Sequence, residues 1–514
     1  MKKNFKLLAK YAVCVALVLA FGACSAPAAE EAGGPIEGTA YSGGAMIIGI
    51  AQDLDASFDP HQMIASGTAG TRELMFNVFE GLVRPMPDGT LVPAVAAAVE
   101  VDGARYTFTL REGVQFHNGA PVTVDDVVYS LDRARDSAQT ATFITALGAI
   151  ASVQAIDEET VVIELYEADN AFLAFLTVPI IPAGYENQAQ SPIGTGPFRF
   201  VSHTPQEALV LERFDAYWGT PAYLDEVTVR IFASGEAMAL ALQAGAIDLA
   251  GHLTYDMVQG IGADFYYVGG SMNLVQALFL NNEHTPFDDV RVRRAMHYAV
   301  DVGQIMDLLS GGIGHPLGSM MHPAFTRYFH EGLVDLYPHD PARARELLAE
   351  AGVADGFSFT ITVPGNYTPH VITAEVLVEQ LRAVGIEAEL NLVEWAYWVS
   401  EVNQARNFEA TVIGIAARDL TARSMLERFV TDNGRNFINF NSAAYDELFW
   451  ETQAEEDAEA QVALYRALQE MLAYEAASVF LQDLTNFVAM RETIAGFTFY
   501  PIYVLDLARL HFVA

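Results

Sequence analysis

The chain has almost no cysteine and, beyond its first ten residues, no lysine. Its two cysteines are Cys14 and Cys24, and its four lysines are Lys2, Lys3, Lys6 and Lys10. Removal of residues 1–23 therefore leaves one thiol and no ammonium side chain. A single thiol excludes internal disulfides and thiolate metal centres. The missing lysine excludes the phosphate-gripping residue of a nucleotide-hydrolysing loop and a Schiff-base nucleophile. Positive charge is scarce too: 24 arginines face 65 aspartates and glutamates, so residues 24–514 carry a formal charge of −41. Such a surface repels nucleic acid and anionic lipid, and no nucleic-acid partner is expected. No later apolar run reaches transmembrane length without charges or breakers. There is no fixed-period repeat and no G-x-S-x-G elbow.

What stands at the start reads as an export signal. A lysine-bearing flank is followed by the apolar run 11–21 and then Gly22-Ala23-Cys24. That core is too short for a comfortable membrane span. Residues 25–44, rich in Ala, Gly, Pro and Glu, have little to pack with and read as a tether. Small residues ending on a cysteine resemble the lipobox of bacterial lipoproteins, with Phe21 where Leu is usual. The resemblance implies a full-length precursor cleaved before Cys24 and acylated on its sulfur. The lipid would hold the protein at the membrane surface without spanning it, and would occupy the last thiol.

Beyond the tether, 491 residues suffice for two or three domains with large cores. Strands are expected at 45–51, 105–110, 161–166, 209–214 and 227–232; in 105–110, Tyr106, Phe108 and Leu110 share a face. Asn118-Gly119 marks a turn, and Thr123 caps a helix whose first turn holds Asp125 and Asp126. A helix beginning at 237–242 stops near Gly245. In the second half, Asp340-Pro341 opens a helix that Gly352 ends. Then come strand 357–363, helix 370–384, strand 386–393, helix 394–404 and strand 408–415. This β-α-β-α-β run predicts an α/β fold with a parallel sheet and right-handed crossovers. Ligands of such sheets bind beyond the carboxyl ends of the strands, which makes loops 364–369 and 416–423 candidate pocket walls.

Several apparent sites read as structure. Gly312, Gly314 and Gly318 imitate a phosphate loop, but Pro316 interrupts them and no expected strand leads in. His315, His322 and His330 lack the spacing of two ligands on one helix face. Asp125-Asp126 and Glu455-Glu456 sit at helix starts or solvated faces rather than as a glycosidase pair. No catalytic residue, metal site or cofactor is expected. Trp395 and Trp398, three apart on one face of the expected helix with Tyr397 beside them, fit either core packing or an aromatic wall for an organic solute.

Ordered stretches from near residue 46 to near residue 512 resemble the peptide- and nickel-binding class of solute-binding proteins, the extracytoplasmic receptors of ABC importers. They are Asp59-Pro60-His61, Phe79-Glu80-Gly81-Leu82-Val83, the run 106–119 and 123–130, Gly194-Thr195-Gly196-Pro197-Phe198, Tyr217-Trp218-Gly219, Leu280-Asn281-Asn282 and 287–295. The resemblance implies a type II periplasmic-binding-protein-like fold, with two α/β lobes that close on a ligand like a hinge. It places the first lobe at about 45–275 plus 485–514, with an inserted subdomain near 85–195, and the second at 276–484. It implies a monomer that delivers peptide or another small solute to permease and ATPase subunits. It also places Asp53, Asn366, Tyr367, Trp395, Trp398, Arg418, Asp419 and Arg423 near the ligand. In peptide-binding relatives an Asp meets the ligand amine and an Arg its carboxylate. Here Arg418 falls at or beside the Asp position with Asp419 next, and loop 364–369 has no arginine. A metal-chelate receptor of the same fold and a secreted hydrolase are the alternatives. Elemental analysis separates the first of these and surrogate-substrate assays the second.

Overall fold

The computed structural model describes residues 30–32, 34–66, 68–137, 144–169, 171–417, 420–455 and 457–514; the leader with Cys24, and both Arg418 and Asp419, lie outside the described residues. Alternation along Leu274–Leu280 divides the second lobe into two cores. Val275, Ala277 and Phe279 pack with Ile413, Ile415, Trp398 and Val402 on one face of the sheet. Leu278 and Leu280 pack with Ile361, Val363, Val412, Ala374 and Leu377 on the other. A strand covered on both faces must be apolar throughout, and every residue of Leu274–Leu280 is buried.

The sheet of the second lobe has six strands, ordered His315–Pro316, Val479–Asp483, Leu274–Leu280, Ala410–Ala416, Ser358–Pro364 and Glu387–Val393. The last three are parallel, as the β-α-β-α-β pattern predicts, while Leu274–Leu280 runs antiparallel to both its neighbours. Ser358–Pro364 lies between the other two parallel strands. Helix Thr368–Arg382, which follows it, covers one face, and the crossover through Trp398 and Val402 covers the other. Helix Ala422–Leu426, after Ala410–Ala416, returns to the Trp398 side. The loops after these two adjacent strands therefore diverge to opposite faces and leave a crevice at their carboxyl ends. The helix expected at 394–404 starts as an α-turn, Trp395–Tyr397, and continues as a π-helix, Trp398–Gln404.

The first lobe holds an eight-stranded sheet in which Ala45–Ile50 runs parallel to both Glu226–Ile231 and Leu249–Leu253. A separate four-stranded antiparallel sheet, Ala96–Asp102, Arg105–Leu110, Thr160–Leu165 and Ile150–Ala155, packs on helix Val124–Ser137. Thr123 and Asp126 cap that helix reciprocally: the Thr123 N–H donates to Asp126 at 2.9 Å and the Asp126 N–H to Thr123 Oγ1 at 3.4 Å. The lobes are joined where Phe265–Ser271 leads into Leu274–Leu280 and Val479–Asp483 into Thr485–Arg491. These crossings lie side by side, with the Met272 N–H donating to Leu484 O at 2.8 Å. Asp483 sits buried between them, accepting the Ser271 hydroxyl and the Leu274 N–H. Burial pushes its carboxyl up to about 7.

Most of the sequence stretches that carry the family resemblance turn out to be scaffold. Glu80 is buried and accepts from Tyr217 Oη at 2.8 Å, Trp218 Nε1 at 2.8 Å and Thr195 Oγ1 at 3.2 Å, with Arg84 at 3.6 Å. Three separate motifs thus meet at one carboxylate. A Cβ on Gly194 would lie 2.1 Å from Val78 O, which is why the chain has glycine there. Asp59 and His61 hold Arg133 of the subdomain helix, at 2.5 Å and 2.8 Å. The buried Arg293 donates to the carbonyls of Phe287, Glu475 and Ala476, the last two at the end of helix Ala458–Tyr474, where a cation suits the dipole.

Candidate interlobe binding site

The carboxyl ends of the second lobe's parallel strands carry an aromatic stack. Tyr367, in the turn after Ser358–Pro364, is 40% exposed and meets Trp395 edge-to-face at 5.5 Å. Trp395, just after Glu387–Val393, is 42% exposed and stacks on Trp398 at 5.2 Å with an 8° interplanar angle. Trp398 is only 5% exposed, and its indole N–H donates to Thr411 Oγ1 at 2.9 Å. The two residues of the pair differ, and core packing describes Trp398 alone. Trp398 belongs to the core and fixes the plane on which Trp395 lies, while Trp395 and Tyr367 present surface to solvent.

The first lobe answers with His252, Glu73 and Tyr503. His252 occupies a bulge in Leu249–Leu253 at φ +56, a left-handed conformation that costs a residue with a Cβ about 1–2 kcal/mol. The bulge aims its ring at Glu73, and Nε2 donates to the two carboxylate oxygens at 2.8 and 3.1 Å. His252 is 30% exposed in its side chain and Glu73 12%. The Glu73 charge raises the imidazole above its ordinary pKa, against the effect of burial. Tyr503 stacks obliquely on His252 at 6.3 Å. Burial raises its phenol, and the charges of Glu73 and Asp483 and the Tyr367 hydroxyl across the cleft add to that rise.

Beside His252 lies a cavity of about 300 Å³ lined from both lobes and from the crossings, by residues that include His252, Tyr255, Met272, Thr368, Pro369 and Gln482. His252 also borders a smaller enclosed space shared with Glu73 and Tyr503. Burial and hydrogen bonding here suit reversible capture of an organic solute with apolar and polar parts. Periodicity gave no sign of Glu73, His252 or Tyr503. The only local hint was Gly251 interrupting a strand, a weak mark of a bulge.

The remaining residues expected near a ligand are placed as follows. Asn366 is exposed beside Tyr367. Asp53 does not line the interlobe cavity: its carboxylate accepts the N–H groups of Leu54 at 2.9 Å and Gln206 at 3.1 Å, holding the turn between Phe198–Thr204 and Ala208–Arg213. Arg423 reaches across to Asp169 of the inserted subdomain at 3.3 Å and to Glu427 at 3.7 Å, so it links subdomain to second lobe. Arg418 and Asp419 fall outside the described residues. Among the described residues no group of three His, Cys, Asp or Glu could hold a metal ion, and no helix is long and apolar enough to cross a membrane. His330 pairs with Glu470 at 2.9 Å, and His322 is buried.

A sequence model described as bacterial extracellular solute-binding proteins, family 5, matches residues 90–437. The chain is similar to the glutathione-binding protein GsiB of Escherichia coli (strain K12), 27% identical over 439 residues, covering 79% of this chain and 85% of the relative. It is 28% identical over 505 residues to di/tripeptide-binding protein 1 of Pseudomonas aeruginosa, covering 88% and 92%. Its fold matches that of the periplasmic binding protein DppA from Helicobacter pylori, solved with the peptide STSA, at a TM-score of 0.77 and 24% identity, covering 92% of this chain and 99% of the other.

Proposed function

Because the chain belongs to the bacterial extracellular solute-binding proteins of family 5, we propose that it captures a short peptide or a related small organic solute between its lobes and presents it to the permease and ATPase subunits of an importer. One observation carries this reading. A cavity of about 300 Å³ lies between the lobes, with His252 and Tyr255 on one side, Thr368 and Pro369 on the other, and Met272 and Gln482 at the crossings. A space of that size suits a ligand at the small end of the usual range. Two relatives of similar length carry names that refer to glutathione and to di- and tripeptides.

The site binds rather than transforms its ligand. Two short crossings joined by the Met272–Leu484 hydrogen bond suit a hinge, and a ligand touching both walls favours the closed arrangement. The lobes divide at about 45–275 with 485–514 and 276–484, with the subdomain near 85–195 inserted in the first. The protein acts as a monomer, exported by residues 1–23 and held at the membrane by acylated Cys24. Labelled palmitate entering the wild type but not Cys24→Ala supports the anchor; equal membrane retention of both forms refutes it.

Native mass spectrometry after incubation with a random di- and tripeptide pool tests the main claim. Retention of peptide masses by the wild type, reduced in Trp395→Ala, is the expected result. A protein that emerges without any peptide mass refutes peptide capture.

A further inference from the structure

A run of buried polar groups leads from the second lobe's sheet to the wall of the interlobe cavity. Gly414, on Ala410–Ala416, lies beyond the stretch of that strand that pairs with Ser358–Pro364. Its N–H donates instead to His370 Nε2 at 3.1 Å. The other ring nitrogen, Nδ1, stands 2.9 Å from the side-chain amide of Gln276. That amide is 2.9 Å from the amide of Gln482 and 3.3 Å from Thr373 Oγ1, whose hydroxyl donates to Pro369 O at 2.8 Å. His370, Thr373, Gln276 and Gln482 are all buried, yet Gln482 lines the cavity of about 300 Å³.

Only one arrangement of protons satisfies this run. A backbone N–H can only donate, so Nε2 is the bare nitrogen of a neutral ring and Nδ1 carries the proton. Burial holds the ring neutral, its pKa lowered to about 4. An amide nitrogen of Gln276 beside Nδ1–H would set donor against donor, so Oε1 stands there and accepts. The Gln276 Nε2 then faces Thr373 Oγ1 and Gln482 and donates to both. Gln482 meets it with Oε1, which leaves the Gln482 N–H₂ turned to the cavity. Every donor and acceptor in the run is then paired except those N–H groups.

We propose that Gln482 is a specificity-determining residue of the interlobe cavity: the tautomer of His370, acting through Gln276, locks the Gln482 amide with its N–H₂ outward, to donate to a carbonyl or carboxylate oxygen of the bound solute. The inference rests on the reading of that cavity as the solute site. A glutamine free to turn would donate or accept as the solute required and would discriminate little. A locked one rejects a solute that brings a donor to the same place, because two buried donors would face each other unpaired. His370 and Gln276 are positioning residues, which act on the solute only through Gln482. Gln482 lies on Val479–Asp483, the strand that leads into the second crossing, so a solute bonded to it is held next to the hinge.

The test uses the purified protein, labelled with the heavy nitrogen isotope in histidine rings and glutamine side chains, and a random tripeptide pool. NMR of the wild type is expected to show His370 protonated on Nδ1 and bare on Nε2. The Gln482 amide signals, identified by their loss in Gln482→Glu, are expected to shift when the pool is added. The thermal midpoint of the wild type should rise with the pool. Gln482→Glu, which puts an acceptor where the donor stood, should need at least about 10-fold more pool for the same rise. Gln276→Glu gives the sharper reading. Its carboxylate accepts from both His370 and Gln482 and so turns the Gln482 oxygen to the cavity, and the same loss is expected with the His370 tautomer unchanged. A proton on His370 Nε2 in the wild type overturns the relay, and that measurement stands even where both variants fail to fold. Undiminished response of Gln276→Glu overturns the relay as well. Equal stabilisation of wild type and Gln482→Glu, or an unmoved Gln482 signal, overturns the donor role and leaves peptide capture intact. No response of the wild type to the pool overturns peptide capture, and this inference with it.

Discussion

Glu73 and Glu80 lie seven residues apart in the same lobe, both with little exposed surface, yet they belong to different kinds of site. Glu80 is held by Tyr217, Trp218, Thr195 and Arg84, groups whose protonation does not change near neutral pH. Glu73 is held by a histidine, which does titrate there, and borders a small space of the first lobe beside the crossings. The first arrangement locks segments together and gains nothing from being adjustable. The second pairs a carboxylate with a group whose charge depends on pH. Buried acids are thus sorted by the chemistry of their partners rather than by their depth.

The largest effect should come from breaking the locked site. Glu80→Ala leaves two hydroxyls, an indole N–H and a guanidinium without their acceptor, and should lower stability by about 3–5 kcal/mol in urea denaturation. An unchanged urea midpoint would contradict the scaffold role. The aromatic pair gives a second contrast of the same kind. Trp398→Ala should cost about 3–5 kcal/mol through the cavity it opens, whereas Trp395→Ala should cost under about 1 kcal/mol and instead weaken peptide binding. Equal stability losses in both variants would put Trp395 in the core.

Acid should separate fixed from exchangeable histidines. His61, His117, His297 and His370 are held down to about 4 and His322 to about 3, chiefly by burial. Their folded pKa values are below the unfolded value near 6.5, so the stability of keeping them neutral is present above that value and lost as pH falls towards 4. Asp483 and Glu80, raised by burial, act in the opposite direction but are fewer. Replacing His297, whose Nε2 donates to Ser478 O at 2.8 Å, with Gln should remove about 1–3 kcal/mol of that acid loss. Identical pH profiles for the two proteins would rule His297 out as a contributor.

The smallest effect belongs to His252. Its folded pKa is raised by Glu73, so its contribution is complete below the unfolded value and fades as pH rises through the folded one. The stability difference between wild type and His252→Gln should therefore narrow between pH 6 and 8, by less than the roughly 1.4 kcal/mol per pH unit that one proton allows. A gap that widens over that range would mean the pair is not charged as described.

Much of the fold was legible because local rules state it. Strand 105–110 was read at the bounds it has, and Asp340-Pro341 and Thr123 cap the helices they were expected to cap. The three parallel strands of the second lobe followed from alternating strand and helix patterns. The antiparallel strand Leu274–Leu280 between them and the crossing was not legible, since a continuous apolar run does not state the direction of its neighbour. Nor did Asp53 announce its engagement by Gln206, 153 residues away.

The sequence by itself determined the class of this protein. Its composition removed lysine and thiol chemistry, its periodicity laid down α/β lobes, and its motif order pointed to the solute-binding family. Those properties depend on residues close in the chain, or on residue types alone, and so they survive without coordinates. Only the tertiary structure decided which distant groups meet. It showed three distant motifs meeting at Glu80 as scaffold, and it brought Glu73, His252 and Tyr503 to one wall from segments about 180 and 250 residues apart. Tyr367 comes near Tyr503 only because two short crossings set one sheet edge against another. A cleft between lobes is made of chain segments with no local reason to meet, and packing of the two cores is what positions them.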